Sequence, residues 1–315
     1  MRTLLVSLCF ALVNSHPAAA ADGPRLLDQQ TLRRPAATPA NSANIRIDVD
    51  MAVVPVTVMD TTGRNVLGLD RDNFRVFDGS EQRPIVSFGT SDAPISLGIL
   101  FDCSRSMRDK FAIARQAPIE LFQQLNAEDE AFLVTLADHP QLRQSFTATF
   151  SDIQNALLFT HPDGSTSLLD AVNLGLHEMK KARNPRKALV IVSDGGDNNS
   201  RYTLRELAAL AAESDVQIFS ICIFQNPKTV EEADGPDLLA KLSQSSGGIR
   251  YLINDVNEMR KAFGQIGVTL HNQYVLGYYP PATAQDGKYH KIKVQLLTPP
   301  GLPRLMVFAR AGYYR

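Results

Sequence analysis

The chain has 315 residues, of which 32 are lysine or arginine and 33 are aspartate or glutamate, giving a formal net charge of −1. A chain of this length can form one large or two ordinary domains. Its balanced charge argues against a general nucleic-acid binder or a binder of acidic membranes. Outside the extreme N-terminus no stretch is apolar enough to cross a bilayer, so we predict no transmembrane segment in the mature chain.

Residues 1–21 have the parts of an export signal. Arg2 supplies a positive charge, residues 4–13 an apolar core, and residues 18–21 the small side chains of a cleavage region. The alternative, a hydrophobic first helix of the mature domain, is disfavoured because the segment is short and runs into a Pro- and Ala-rich tract. We predict an exported protein, periplasmic or extracellular. Residues 22–44 lack periodicity and predict a disordered linker.

Residues 45–90 have the pattern of an antiparallel β module. Apolar residues alternate over residues 45–53 and continue from Val54 in the opposite register, which predicts a β-bulge at that point. Two further short strands are predicted at residues 74–77 and 85–88.

The next strand is the most informative part of the chain. Residues 95–101 are apolar on both faces, which is typical of a strand buried in a parallel sheet. Asp102 ends this run. Ser104 and Ser106 follow it, and a helical apolar pattern begins at Phe111. The three polar side chains therefore lie at the carboxyl end of a central strand, where open α/β folds bind ligands. Taken alone, D-x-S-x-S is equally typical of a turn.

Two later segments repeat this arrangement. Gly164-Ser-Thr-Ser precedes another helical stripe and places Thr166 at a second helix start. A second apolar strand at residues 188–192 ends at Ser193 and Asp194. Hydroxyl and carboxylate oxygens are the ligands that a hard divalent cation prefers.

The remaining pattern between residues 91 and 272 alternates strands with helices, which predicts a mostly parallel sheet. Pro118 falls inside the first helix and should bend or split it. Further strands are predicted at residues 131–136, 141–147 (antiparallel to its neighbour), 216–224 and 248–252, with a short helix near residue 238 and a closing helix over residues 256–270.

Residues 273–315 return to a β pattern, with strands predicted at residues 274–279, 290–296 and 305–309. Neither terminal segment has enough strands for an independent sandwich. We therefore predict that residues 45–90 and 273–315 pair into one small antiparallel β domain, into which an α/β domain of residues 91–272 is inserted.

The chain resembles the von Willebrand factor type A family over roughly residues 93–271. The family's metal-ion-dependent adhesion site reads D-x-S-x-S, then a loop threonine, then an aspartate after a strand. Five residues match these positions in order: Asp102, Ser104, Ser106, Thr166 and Asp194. The flanking stretches "GL…DNF.VFDG", "YVLGYYP" and "GYYR" also resemble a group of exported bacterial proteins with such a domain.

The resemblance implies a Rossmann-like sheet flanked by helices, with a Mg²⁺, Mn²⁺ or Ca²⁺ ion at its top. It implies that Ser104, Ser106 and Thr166 bind the ion directly and that the aspartates act directly or through water. A Glu or Asp carboxylate of a partner protein would complete the coordination shell.

Three functions are consistent with this site. The first is an adhesion-type binding module, the second a metal-dependent phosphoester hydrolase, and the third an envelope scaffold in which the metal is only structural. The sequence lacks G-x-x-x-x-G-K-[ST], G-x-S-x-G and G-x-G-x-x-G, and no general base is obviously placed. We therefore predict a binding module that is not an enzyme.

Five other residues bear on the site. Asp138 follows a strand at the same end of the sheet and is interpreted as a turn residue, with a role in the outer shell as the alternative. Asp197 and Asn198 are interpreted as rim residues that could contact a partner. After export Cys103 and Cys222 remain, and an oxidising compartment permits a disulfide between them. Because Cys103 lies in the metal loop and Cys222 in an apolar strand, we predict two buried free thiols.

Overall fold

The computed structural model describes residues 51–225, 227, 229–281 and 287–314. The predicted export signal, the predicted linker and the first residues of the predicted β module, 45–50, lie outside the described residues. Within the described ranges no helix has the length and apolar character needed to cross a membrane.

The described residues form strands and helices that alternate along the middle of the chain. The strands are β1 (Ala52–Met59), β2 (Phe74–Asp78), β3 (Glu81–Arg83), β4 (Ser87–Ser91), β5 (Ile95–Asp102), β6 (Glu130–Leu136), β7 (Gln141–Thr147), β8 (Arg186–Ser193), β9 (Gln217–Ile223), β10 (Arg250–Ile253), β11 (Gln273–Tyr278), β12 (Tyr289–Leu296), β13 (Met306–Ala309) and β14 (Gly312–Tyr314). The helices are α1 (Phe111–Ala114), α2 (Ile119–Phe122), α3 (Phe150–Leu158), α4 (Leu168–Glu178), α5 (Leu204–Glu213), α6 (Val230–Ser246) and α7 (Met259–His271).

The central sheet has the strand order β10-β9-β8-β5-β6-β7. Its neighbouring strands are parallel except for β7, which pairs antiparallel with β6. Helices α1, α2, α3 and α7 cover one face, and α4, α5 and α6 cover the other. Every residue of β5 is buried, as expected for a strand with helices on both sides. The predicted mixed α/β fold is therefore confirmed.

The two ends of the chain pair with each other. Strand β1 lies between β11 and β13, and β2 pairs with β12, in each case antiparallel. The resulting sheets, β13-β1-β11-β4 and β14-β12-β2-β3, share an apolar core that includes Val54, Phe74, Tyr274 and Ile292. The predicted antiparallel β part is confirmed, whereas the predicted domain boundaries stay predictions.

The β-bulge predicted in β1 is wrong. The pairing of β1 with β11 and β13 runs without a register shift, with Val53 opposite Gly277 and Val54 opposite Leu276. Val53 is 45% exposed, while Val54 is buried in the core of the β sheets. Val54, Val56 and Val58 share the core face, and Val53 lies on the opposite face, so both faces carry apolar residues without a break in the pairing. Met59, at the far end of the strand, packs into the core of the α/β part.

Four other local predictions need correction. Helix α3 and strands β3 and β14 were not predicted, and α6 is much longer than the short helix expected near residue 238. Pro118 does split the first helix, since α1 ends at Ala114 and α2 begins after the proline.

One buried carboxylate ties the β sheets together. Asp78 Oδ2 accepts hydrogen bonds from Tyr278 Oη at 3.0 Å and from Tyr313 Oη at 2.7 Å. All three residues are buried, so losing the acceptor would leave two buried hydroxyls without it.

We therefore expect Asp78→Ala to lower the free energy of unfolding by about 3 kcal/mol, as for other breaks in a buried network. Asp78→Asn, which keeps an acceptor oxygen, should lose less. Urea unfolding of both variants measures this, with the exposed Asp72→Ala as control. If the two Asp78 variants were as stable as Asp72→Ala, the oxygen shared by Tyr278 and Tyr313 would not contribute to the stability of the fold.

Candidate metal centre

The D-x-S-x-S segment folds back on its own aspartate. Asp102 is the last residue of β5 and is fully buried. Its Oδ1 accepts a hydrogen bond from the backbone N–H of Ser104 at 2.8 Å. The hydroxyls of Ser104 and Ser106 lie 3.0 Å apart. The turn therefore places one carboxylate and two hydroxyls together at the carboxyl end of β5.

The loop that carries Thr166 is joined to this turn through its backbone. The N–H of Arg105 donates to Gly164 O at 3.1 Å, and the N–H of Asp163 donates to Cys103 O at 2.9 Å. Gly164 has a φ of +85°, a conformation that favours glycine. These two bonds hold the start of α4, and the buried Thr166 before it, against the D-x-S-x-S turn.

The third loop begins where β8 ends, next to β5. Ser193 Oγ donates to Asp102 Oδ2 at 2.5 Å and accepts from Gly195 N at 2.9 Å. Further along, Asn198 Oδ1 accepts from the N–H of Thr166 at 2.9 Å. All three predicted loops are therefore connected by hydrogen bonds at one edge of the sheet, and Asp194 lies within the third.

Two carboxyl groups and the ammonium of Lys110 lie close together in the site. Burial, and then the charge of Asp194, raise the pKa of Asp102 to about 7. Lys110 Nζ lies 3.2 Å from Asp194 Oδ2. The other oxygen, Asp194 Oδ1, is buried and has no hydrogen-bond partner among the described residues. Buried polar atoms are rarely left unpaired, so this oxygen points to a missing ligand.

The donor set fits a hard divalent cation. Two carboxylates and three hydroxyls offer oxygen ligands only, which is what Mg²⁺, Mn²⁺ and Ca²⁺ prefer. The part of the chain described by the structure has no cluster of three histidine, cysteine, aspartate or glutamate residues suited to a metal. A soft or nitrogen-bound metal such as zinc therefore has no comparable site in the described ranges.

The structure also shows what the other acidic residues near the site do. Asp138 was interpreted as a turn residue, but its Oδ1 accepts from Ser165 N at 2.7 Å, so its carboxylate supports the distant Thr166 loop. Asp197 Oδ1 accepts from Leu168 N at 3.2 Å, at the beginning of α4. Asp197 was interpreted from sequence as a rim residue, and in the structure its carboxylate is engaged in holding α4.

Sequence reasoning missed the supporting roles of three residues. Ser193 donates a hydrogen bond to Asp102, and Lys110 forms the ion pair with Asp194. Asn198, interpreted from the sequence only as a rim residue, accepts a hydrogen bond from the N–H of Thr166. Ser193 directly precedes the predicted ligand Asp194 in the sequence, and this position is the signal that could have identified it. Nothing in the sequence pattern marks Lys110, because its partner lies 84 residues away.

The two cysteines are free and buried, as predicted. Burial raises the pKa of the Cys222 thiol to about 12 and also raises the pKa of the Cys103 thiol, with the charge of Asp102 adding to the second shift. Both thiols are therefore poor nucleophiles at neutral pH.

Residues 97–196 match the family model described as von Willebrand factor type A domain. The matched range includes β5 from Leu97 onward, the Thr166 loop and Asp194, which are the elements that build the site. The chain contains a von Willebrand factor type A domain.

Solved structures agree with this von Willebrand factor type A domain at the level of the fold. A von Willebrand factor type A protein from Catenulispora acidiphila covers 75% of this chain and 75% of its own, at 13% identity and a TM-score of 0.50. Proximal thread matrix protein 1 from the mussel byssus covers 62% of this chain and 51% of its own, at 14% identity and a TM-score of 0.50. No curated protein matches the chain.

Proposed function

We propose that the von Willebrand factor type A domain of this chain is a protein-binding module that uses a divalent cation to capture an acidic residue of its partner. The observation that carries this proposal is the buried Asp194 Oδ1, which has no hydrogen-bond partner among the described residues and lies in the loop that Ser193 joins to the D-x-S-x-S turn. A bound cation would supply the missing partner of that oxygen. The hydroxyls of Ser104, Ser106 and Thr166 would hold the ion, with Asp102 and Asp194 beside them.

The choice of ligands accounts for partner capture. Hydroxyls are neutral, so they leave most of the cation's positive charge uncancelled. A Glu or Asp carboxylate from another protein can then bind the ion and complete its shell. Ser193 and Asn198 would keep the three loops in register while the partner binds.

We propose a binding role in preference to hydrolysis because each site carboxylate would be occupied in holding the loops or the cation. Asp102 accepts hydrogen bonds from Ser104 N and Ser193 Oγ, and Asp194 pairs with Lys110. Neither is placed as a general base for an attacking water. We expect no phosphatase or nuclease activity with Mg²⁺ or Mn²⁺.

We also propose that the protein works outside the cytoplasm, in the periplasm or beyond the cell. The charged start, apolar core and small-residue end of residues 1–21 support export. The partner would then be another protein of the envelope or of the surroundings.

A pull-down from the envelope of the producing cell tests the binding proposal. The wild-type chain should capture a partner in Mg²⁺, release it in EDTA and recover it when Mg²⁺ is returned. Asp194→Ala should lose this capture while remaining folded by circular dichroism. Asp109→Ala is the matched control, because Asp109 is an exposed carboxylate near the same turn.

The outcomes separate the proposed functions. Capture that survives both EDTA and Asp194→Ala would overturn the metal-dependent binding role. If EDTA lowers the melting temperature while capture is unchanged, the metal would be structural only. Mg²⁺-dependent phosphatase or nuclease activity lost in Asp194→Ala would favour the hydrolase.

A further inference from the structure

The ion pair between Lys110 and Asp194 is shielded from water. The Lys110 side chain is only 14% exposed and that of Asp194 only 3%, and their charged atoms lie 3.2 Å apart. Exposed ion pairs contribute little because water screens them, but a pair as buried as this one is screened much less. The pair is therefore a substantial interaction inside the site, in contrast to a surface contact.

Lys110 is placed where it meets the charge of a bound cation. It holds Asp194 Oδ2, while Asp194 Oδ1 of the same carboxylate is unpaired. A divalent cation on Oδ1 would lie within a few ångströms of the ammonium, and like charges at that separation in a buried site repel strongly. The ammonium and the metal therefore cannot both bind Asp194 at full strength.

We propose that Lys110 is a built-in competitor of the metal: it neutralises Asp194 in the metal-free protein and must leave for the cation to bind. This inference rests on the proposed metal site. Lysine suits the role because its charge is carried at the end of a flexible four-carbon stem. Lys110 is the N-cap residue of α1, and the proposed change is confined to its side chain.

This arrangement has two consequences. The metal-free site stays assembled, because one of its two buried carboxylates keeps a counter-charge. The cation must also displace the ammonium, so the affinity for metal is lower than the oxygen ligands alone would give. Partner capture would then begin only above a threshold of divalent cation.

Calorimetric titration with Mn²⁺ tests this inference directly. We expect Lys110→Met to bind Mn²⁺ at least about tenfold more tightly than the wild type, since the competing charge is removed. Lys110→Arg keeps that charge and should stay close to the wild type. Lys241→Met removes an exposed lysine from α6 and is the matched control.

A thermal melt supplies the second readout. In EDTA, Lys110→Met should melt below the wild type because Asp194 loses its counter-charge, and saturating Mn²⁺ should remove or reverse this difference. If Lys110→Met folds too poorly to titrate, Lys110→Gln provides the same comparison with a polar side chain.

The results distinguish this inference from the proposed function. Mn²⁺ affinity that is unchanged or weaker in Lys110→Met, with partner capture still sensitive to EDTA, overturns the role of Lys110 alone. Mn²⁺ binding by neither the wild type nor Lys110→Met overturns the metal site and the inference together.

Discussion

In metal-free buffer, an Asp102→Asn chain is expected to gain stability over the wild type as the pH rises. The gain should grow by roughly 3 kcal/mol between pH 5 and pH 8. The reason is that burial and the neighbouring Asp194 raise the pKa of Asp102 from 3.8 to about 7. An asparagine of nearly the same shape carries no charge at either pH.

The sign follows from proton binding in the two states. Between the unfolded pKa of 3.8 and the folded pKa of about 7, the folded protein binds more protons at Asp102 than the unfolded chain does. The stability of the wild type therefore falls as the pH rises through this window. Above pH 7 the carboxylate is ionised in both states and the loss is complete.

Urea unfolding at several pH values, each in EDTA, measures this difference. Asp109→Asn, which neutralises an exposed carboxylate near the same turn, controls for the general effect of charge removal. Saturating Mg²⁺ should raise the stability of the wild type at pH 8 and leave that of Asp102→Asn nearly unchanged. If the free energies of unfolding of the wild type and Asp102→Asn changed with pH in the same way, ionisation of Asp102 would not destabilise the folded protein.

That the three loops meet at one end of the sheet could be predicted because two independent signals coincide there. The strand before Asp102 is apolar on both faces, and the polar side chains begin where it stops. The same coincidence occurs at Ser193 and Asp194. Periodicity locates the strand ends, and the topology of a parallel sheet brings those ends to one edge.

The interactions that support these residues could not be predicted, because they join distant parts of the chain. The pairing of Lys110 with Asp194 and the hydrogen bond from Ser193 to Asp102 depend on side-chain directions that a pattern does not contain. The missed helix α3 buries only Ile153 and Leu157, which is too short a stripe to stand out. Strand β3 has three residues, none of them buried.

The contact between helix α6 and the metal loop is another such feature. Gly195 has a φ of +88°, and a Cβ placed on it would lie 2.5 Å from Gly235 Cα in α6. A Cβ on Gly235 would in turn lie 2.6 Å from Gly195 Cα and 2.7 Å from Asp194 O. The two backbones touch here, so α6 fixes the position of the loop that carries Asp194.

We therefore expect Gly235→Ala to weaken Mn²⁺ binding at least about tenfold, although Gly235 would not itself be a ligand. The added methyl group meets backbone on both sides and forces the loop to shift. Overpacking of this kind typically costs about 1–3 kcal/mol of stability. Gly235 also precedes Pro236, and a side chain before proline disfavours the helical conformation. The variant could therefore lose stability for a reason unrelated to the loop. The affinity for Mn²⁺ is the measurement that reports on the position of Asp194.

Gly264→Ala is the matched control for this prediction. Gly264 also lies inside a helix, α7, but a Cβ there would have its nearest neighbour, Glu120 Cβ, at 4.0 Å. Alanine should fit without strain and stabilise the helix by about 0.5–1 kcal/mol, leaving Mn²⁺ affinity unchanged. If Gly235→Ala bound Mn²⁺ as tightly as Gly264→Ala, the position of Asp194 would not depend on α6. The loop would then be held by the hydrogen bonds of Ser193 and Asn198 alone.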